Sequence, residues 1–261
     1  MSRLHVESVG AGPPLVLVHG WAMHGGLWSP LVAHVARRFR VHVVDRPGHG
    51  HSATVEPFTL DAIAAELRHA FDTESERALV VGWSLGAFVA MTWALAAPER
   101  IARLVLVGAT PRFVAAVDWP HAMACDTLRR FHDELRVAYR LTLNRFLALQ
   151  VHGSEHGRAA LSAMRAQLFA RGDPSAAVLE SSLDVLASAD LRERAHAIGV
   201  PTLVVAGARD ALTPPQAGAW LAQAIPGARL ATIDGAAHAP FLSHPREFTA
   251  ALDEFLDERA D

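Results

Sequence analysis

The chain contains no lysine: all 24 of its basic residues are arginine. That excludes Schiff-base catalysis by a lysine amine and a phosphate loop of the G-x-x-x-x-G-K-[ST] type. A GC-rich genome is the ordinary source of such a bias. The single cysteine, Cys125, allows no internal disulfide. The first strand–helix turn carries no G-x-G-x-x-G, so a nucleotide cofactor is not indicated and none is expected. His49-x-His51 is a poor metal signal, because a catalytic zinc needs a third ligand and none is placed; no metal is expected. No stretch approaches the roughly 18 apolar residues of a membrane span. Met1 to His5 leads into no apolar h-region, so a soluble cytoplasmic protein without a secretory leader is the expectation. A net charge of -3 gives no general attraction to nucleic acid or an anionic membrane. The 261 residues are 51% hydrophobic and 20% charged, which suits one large α/β domain with an inserted subdomain.

The rhythm along the chain alternates strand and helix. Residues 4–9 and 14–18 read as strands, 27–39 as a helix, 41–45 as a buried strand. A helix follows over 60–71 with Thr59 as its N-cap. Strand 78–81, helix 85–97 and strand 103–107 come next. The alternation then stops. Residues 112–188 hold helical stretches near 122–150, 155–170 and 174–187 and no convincing strand. It resumes with strand 200–206, helix 214–224, strand 229–233 and a terminal helix over 245–257. This pattern predicts a mostly parallel sheet covered by helices on both faces, with 1–111 and 189–261 as the core and 112–188 as a helical cap.

The chemistry centres on Gly82-Trp83-Ser84-Leu85-Gly86, a G-x-S-x-G between an apolar strand and a helix. A tight turn there lifts a serine hydroxyl above the sheet edge. The following helix aims free N–H groups and its positive end at the same spot. The alternative role for Ser84 is that of a plain helix cap. A serine nucleophile needs a base, and the base needs an orienting acid. In open α/β sheets these sit just beyond strand C-termini. Asp210 follows strand 200–206 and His238 follows strand 229–233, giving the chain order Ser84…Asp210…His238. Asp45 and Asp234 compete with Asp210, the first more suited to its own loop and the second to local backbone. His19, beside Gly20 and Trp21, suits the shaping of an oxyanion loop better than base chemistry. The oxyanion donors expected are the N–H groups of Leu85 and Trp21. Trp21 and Trp83 are either pocket walls or core aromatics.

With these residues placed, the chain resembles the α/β-hydrolase superfamily over essentially its whole length. Within it, the chain is similar to the pimeloyl-[acyl-carrier protein] methyl ester esterases of biotin synthesis. The segments that carry the likeness are His19-Gly20-Trp21, Gly82 to Gly86, Asp118-Trp119-Pro120, Arg145-Phe146-Leu147-Ala148-Leu149-Gln150 and Ala237 to Pro245. Ala87 departs from that family, which usually has a third glycine there. The resemblance implies an α/β-hydrolase fold and a carboxylesterase that frees pimeloyl-carrier protein and methanol from the methyl ester. It implies a triad of Ser84, Asp210 and His238. It also implies a substrate site lined by Trp21, Ser84, Leu85, Phe146, Leu147, Ala148, Leu149, Gln150 and His238. Arg145 and Arg158 stand where that family holds the acidic carrier protein; Arg140 and Arg165 lie nearby without aligning cleanly. A monomer acting in the cytoplasm is expected. Residues 111–185 hold nine arginines against eight acids, and the rest fifteen against nineteen. That contrast fits either steering of an acidic partner or ordinary solvated charge. Two other readings stand beside this one: a short-chain carboxylesterase or lactonase on the same scaffold, and a ligand-binding protein with little turnover.

Overall fold

In the computed structural model, which describes residues 4–258, seven strands form: β1 (Val6–Val9), β2 (Pro14–Val18), β3 (Arg40–Val44), β4 (Ala78–Trp83), β5 (Ile101–Val107), β6 (Thr202–Gly207) and β7 (Arg229–Ile233). They make one sheet in the order β1-β3-β2-β4-β5-β6-β7. Only β1 runs antiparallel, at the edge beside β3. The central strands are unbroken apolar runs because helices cover both of their faces. The chain moves from β2 to β3 on one side, then returns to place β4 on the other side of β2. This reversal is the crevice at which ligands bind in open α/β sheets. Its register is definite: Val18 of β2 pairs with Gly82 of β4, so the loops after both strands start side by side.

The helices are α1 (Ser29–Val35), α2 (Leu60–Ala70), α3 (Leu85–Ala96), α4 (Cys125–Val137), α5 (Tyr139–Gln150), α6 (Gly157–Leu168), α7 (Ala176–Ser188), α8 (Pro215–Ala224), the single turn α9 (Pro240–Ser243) and α10 (Pro245–Asp257). α2 begins as the sequence predicts, with Thr59 Oγ1 accepting from the Ala62 N–H at 3.2 Å. Asp61 in its first turn and Arg68 and His69 in its last complement the helix dipole. α3 has almost no polar face and is buried nearly all round, between the sheet and α2. That fixes the helix which follows Ser84.

Two expected elements differ. The helix over 27–39 is a 3-10 turn (Gly25–Trp28) followed by the shorter α1. His24 accepts from the Gly26 N–H and caps the tighter turn. The stretch 122–150 is two helices, broken at Ala138 (φ -137, ψ 51). No glycine or proline marks the break. It is imposed by packing: α4 lies along α7, with Arg136 on Glu180 at 3.0 Å, while α5 turns Phe146 onto Trp21. Where the chain passes from the sheet into this four-helix segment and back, Arg112 pairs with Asp190 at 2.7 Å. The Leu191 N–H donates to the Pro111 carbonyl beside them.

Candidate active site

Ser84 sits at φ 57 and ψ -120, a strained conformation for a residue with a Cβ. Its Oγ makes no capping bond to α3, so the plain cap reading does not describe it. The turn is held from every side. The Ser84 N–H donates to the Val107 carbonyl at 2.9 Å. A Cβ on Gly86 would run into the Val18 carbonyl, and one on Gly82 into the Gly86 carbonyl. Those two glycines therefore let β2, β4 and α3 approach closely enough to form the elbow. Ala87, where a methyl replaces the expected glycine, is fully buried beneath the same turn and is accommodated there.

Asp210 and His238 lie beyond the ends of β6 and β7, which pair so that Gly207 faces Ile233. Asp210 Oδ2 meets His238 Nδ1 at 2.7 Å, with both side chains buried. The other carboxylate oxygen, Oδ1, accepts the backbone N–H groups of Leu212 at 2.9 Å and Thr213 at 3.0 Å. The Thr213 hydroxyl donates to Oδ2 at 2.7 Å and lies 3.2 Å from His238 Nδ1. Asp210 can only accept, so His238 carries its proton on Nδ1 and leaves Nε2 free to take another. Nε2 is buried and has no hydrogen-bond partner among the described residues. Thr213 was not singled out by the sequence reading. Its signal was the spacing Asp210-Ala-Leu-Thr213, a turn in which the acid bonds backbone two and three residues on.

The histidine's backbone is tied down twice. Its N–H donates to the Gln150 carbonyl at the end of α5 (3.0 Å), and its carbonyl accepts from Trp83 Nε1 (2.8 Å). Trp83 is thus a fully buried brace behind the histidine loop, packed on Phe241. Trp21 is different. Its indole donates to the Leu179 carbonyl at 3.1 Å, and its ring meets Phe146 at 4.8 Å and Phe131 at 5.4 Å. Phe131, from α4, is a member of this aromatic group that the sequence reading did not name.

The segment 146–150 divides by helical spacing. Phe146, Leu147 and Gln150 are buried, while Ala148 and Leu149 are exposed on the opposite side of α5. The N–H groups of Trp21 and Leu85 are not spent on any loop or cap bond among the described residues. Asp45 does more than hold its own loop. Oδ1 accepts from Gly25 N (2.7 Å), and Oδ2 from His51 N (2.9 Å) and from Arg171 in the helical segment (2.9 Å). His19 is fully buried and far below the usual imidazole range, chiefly from burial and then from the nearby Arg46 cation. Both of its nitrogens are occupied, so it is unsuited to proton transfer. Arg145 is exposed and paired with Glu134 at 3.2 Å; among the described residues Arg158 and Arg165 form no ion pair. Among the described residues, no three His, Cys, Asp or Glu side chains are grouped to hold a metal ion, and no helix is long and apolar enough to cross a membrane.

The family described as alpha/beta hydrolase fold matches residues 13–245. The chain belongs to this family. This hydrolase is 43% identical over 258 residues to the Chromobacterium violaceum protein named pimeloyl-[acyl-carrier protein] methyl ester esterase, covering 99% of this chain and 100% of that one. A Nitrosomonas europaea protein of the same name is 42% identical, over 97% of this chain and 99% of its own. Among solved structures, an enol-lactonase from Burkholderia xenovorans superimposes on this hydrolase with a TM-score of 0.85. It shares 26% identity and covers 98% of this chain and 96% of that one.

Proposed function

We propose that this hydrolase is a serine carboxylesterase that cleaves the methyl ester of a pimeloyl group carried on acyl-carrier protein. In this reading Ser84 attacks the ester carbonyl as its proton passes to His238 Nε2, with Asp210 orienting and stabilising the imidazolium. The N–H groups of Leu85 and Trp21 receive the developing oxyanion. His238 then protonates the departing methoxide, and methanol leaves. Water, deprotonated by the same histidine, attacks the acyl-enzyme and frees the carboxylate and Ser84. No cofactor enters any step. The chemistry is supported by the buried Asp210–His238 pair together with the strained Ser84 turn. The substrate is carried by one observation, the 43% identity over the whole length of a relative bearing that name.

We further infer that residues 112–188 act as a cap, with Trp21, Phe146, Leu147 and Gln150 against the acyl chain. Ala148 and Leu149 face outward and serve α5 rather than the ligand. Arg145, Arg158 and Arg165 would meet the acidic carrier protein; the last two lie seven residues apart on one face of α6 and form no ion pair among the described residues. In this reading the enzyme acts as a monomer, and a carrier-protein substrate favours the cytoplasm. The likeness to an enol-lactonase keeps a second reading, a small-ester or lactone hydrolase.

The test pairs a short p-nitrophenyl ester with a carrier-protein-linked methyl ester, in the parent enzyme and in Arg145→Glu/Arg158→Glu. The carrier reading expects the double variant to raise KM for the carrier substrate by about tenfold or more and to leave the small ester unchanged, since like charge across an interface suppresses association. Equal rates on both substrates remove the basis for carrier docking and favour the small-ester reading.

A further inference from the structure

Arg46 is a cation enclosed in the protein, 1% exposed, with no carboxylate paired to it among the described residues. Burying a guanidinium without a counter-charge is costly, and a leucine would fill the space at less cost. What distinguishes the arginine is what it grips. Its Nε donates to the His19 carbonyl at 2.9 Å and one terminal nitrogen to the Gly20 carbonyl at 2.9 Å. The same terminal nitrogen lies 3.3 Å from His49 Nε2. His49 Nδ1 is 3.0 Å from the Pro47 carbonyl, to which it can only donate, so Nε2 is the acceptor facing the guanidinium. The Arg46 backbone N–H donates to His19 Nε2 at 2.9 Å, which places the His19 proton on Nδ1. That Nδ1–H in turn donates to the Gly20 carbonyl at 2.8 Å.

Two donors, one of them charged, therefore converge on a single carbonyl. Gly20 O belongs to the peptide unit whose nitrogen is Trp21 N. In a trans peptide the C=O and N–H point in opposite directions. Fixing the oxygen on the Arg46 side thus fixes the N–H on the other. The peptide stands beside the nucleophile, since a Cβ on Gly20 would lie 3.1 Å from Ser84 Cβ, and the Trp21 N–H makes no loop bond among the described residues. The next residue, Ala22, has φ 61, and among the described residues it and Ser84 are the non-glycine positions with positive φ. The backbone on both sides of the crevice is held in conformations that the chain would not adopt unaided. Hydrogen bonds to a carbonyl draw electron density from the amide and make its N–H a stronger donor, and a charged donor does so most.

Taking the oxyanion role of Trp21 from the proposed function, we propose that Arg46 is a positioning residue that orients and polarises the Gly20–Trp21 peptide, so that its N–H binds the transition-state oxyanion. Arg46 touches neither substrate nor Ser84. It acts through one peptide unit, seconded by His19. Burial lowers its pKa to about 9, which leaves it charged at neutral pH. The effect belongs to kcat and to tetrahedral ligands, because the ground-state ester has little charge on its oxygen.

The test uses Arg46→Gln, which keeps an N–H donor and removes the charge, and Arg46→Lys, which keeps the charge and loses the fork. Each is assayed on p-nitrophenyl acetate and with an alkylboronic acid. The boron accepts Ser84 Oγ, the proton passes to His238, and the resulting tetrahedral anion occupies the oxyanion position. Folding is read from near-UV circular dichroism and the melting temperature. Loss of a whole oxyanion donor costs about a hundredfold or more; weakening one predicts about tenfold. Arg46→Gln is expected to lose about tenfold in kcat with KM nearly unchanged, to lose boronate affinity by the same factor, and to lose more than Arg46→Lys does. A folded Arg46→Gln whose kcat and boronate affinity stay within twofold of the parent, or whose loss falls wholly on KM, overturns the proposal. Should Arg46→Gln not fold, Arg46→Lys decides. A parallel loss of severalfold in kcat and boronate affinity at constant KM supports the proposal, and any other pattern overturns it. Ser84→Ala separates the two levels. If it still hydrolyses the ester, the nucleophile assignment itself fails. If it is inactive while Arg46→Gln is unimpaired, only the role of Arg46 fails.

Discussion

Replacing Thr213 with valine keeps the shape of the side chain and removes one hydroxyl, so it isolates what that hydroxyl does. Asp210 is filled by four donors: two backbone N–H groups on Oδ1, and the Thr213 hydroxyl and His238 on Oδ2, each of the last two at 2.7 Å. A hydrogen bond to a charged group contributes about 1.5–3 kcal/mol net, and a buried acceptor left short of a donor costs a similar amount. Three donors still hold the carboxylate, so the lower end applies, about 1.5 kcal/mol. For a chain of this size that lowers Tm by roughly 3–6 °C. The catalytic effect follows from geometry. Oδ2 is the atom that orients His238, and without Thr213 it is anchored on one side only. A loss of about 1–2 kcal/mol in transition-state stabilisation corresponds to a fall in kcat of roughly five- to thirtyfold. KM should not move, because Thr213 is buried behind the histidine. The assay is steady-state hydrolysis of a short p-nitrophenyl ester alongside a thermal melt, with Thr213→Ser as the control that restores the hydroxyl. If Thr213→Val matches the parent within twofold in kcat and within a degree in Tm, the reasoning about the Asp210 oxygens is refuted.

Three further outcomes follow. Gly108 lies at φ 52 after β5, and a Cβ there would stand 3.0 Å from His238 Nδ1. Gly108→Ala should therefore cost about 1–2 kcal/mol from backbone strain alone, and should lower kcat further by displacing the imidazole; a melt and a kcat measurement check both. Acid sensitivity has a definite sign. Burial keeps His19 and His49 well below the usual imidazole range, so they stay neutral in the folded chain while unfolded histidines gain protons, and stability declines as pH falls below about 6.5. Asp190, bonded chiefly by Arg192 and also by Arg112, has its pKa lowered from 3.8 to about 2. Its contribution is full above pH 3.8 and is lost as pH falls towards about 2. With its partly exposed edge taken into account, that contribution is about 1 kcal/mol. Asp190→Asn should lower the urea midpoint at pH 7 and flatten the dependence between pH 4 and 2; an unchanged dependence would show that the Arg112–Asp190–Arg192 group contributes nothing.

Much of the fold was legible because its signals are local. The apolar runs of β2, β4 and β6 have no alternative to burial, and Thr59 and the glycines around Ser84 mark their turns directly. The order Ser84…Asp210…His238 could be read because each residue follows a strand. What escaped was set by contacts between distant segments. Ala138 breaks a helical run in which no residue type signals a stop, since α4 must follow α7 while α5 must face Trp21. Thr213 is one polar loop residue among many in the sequence, and only the folded turn sets its hydroxyl on Asp210 Oδ2. Arg46 sits in a loop whose glycines read as a turn, and nothing in its neighbours showed that its side chain folds inward under His19 and Gly20. The outward turn of Ala148 and Leu149 follows from helical spacing once α5 is oriented, but that orientation comes from Phe146 on Trp21.

In the proposed function Ser84, served by His238, removes a methyl ester from a carrier-borne acyl chain. The most direct measurement is the mass of carrier protein bearing the pimeloyl methyl ester after incubation with the parent enzyme and with Ser84→Ala. The parent is expected to convert the carrier to the free-acid mass and release methanol, while Ser84→Ala leaves the ester mass intact over the same interval. Conversion by Ser84→Ala at a comparable rate, or an untouched ester with the parent enzyme, would contradict it.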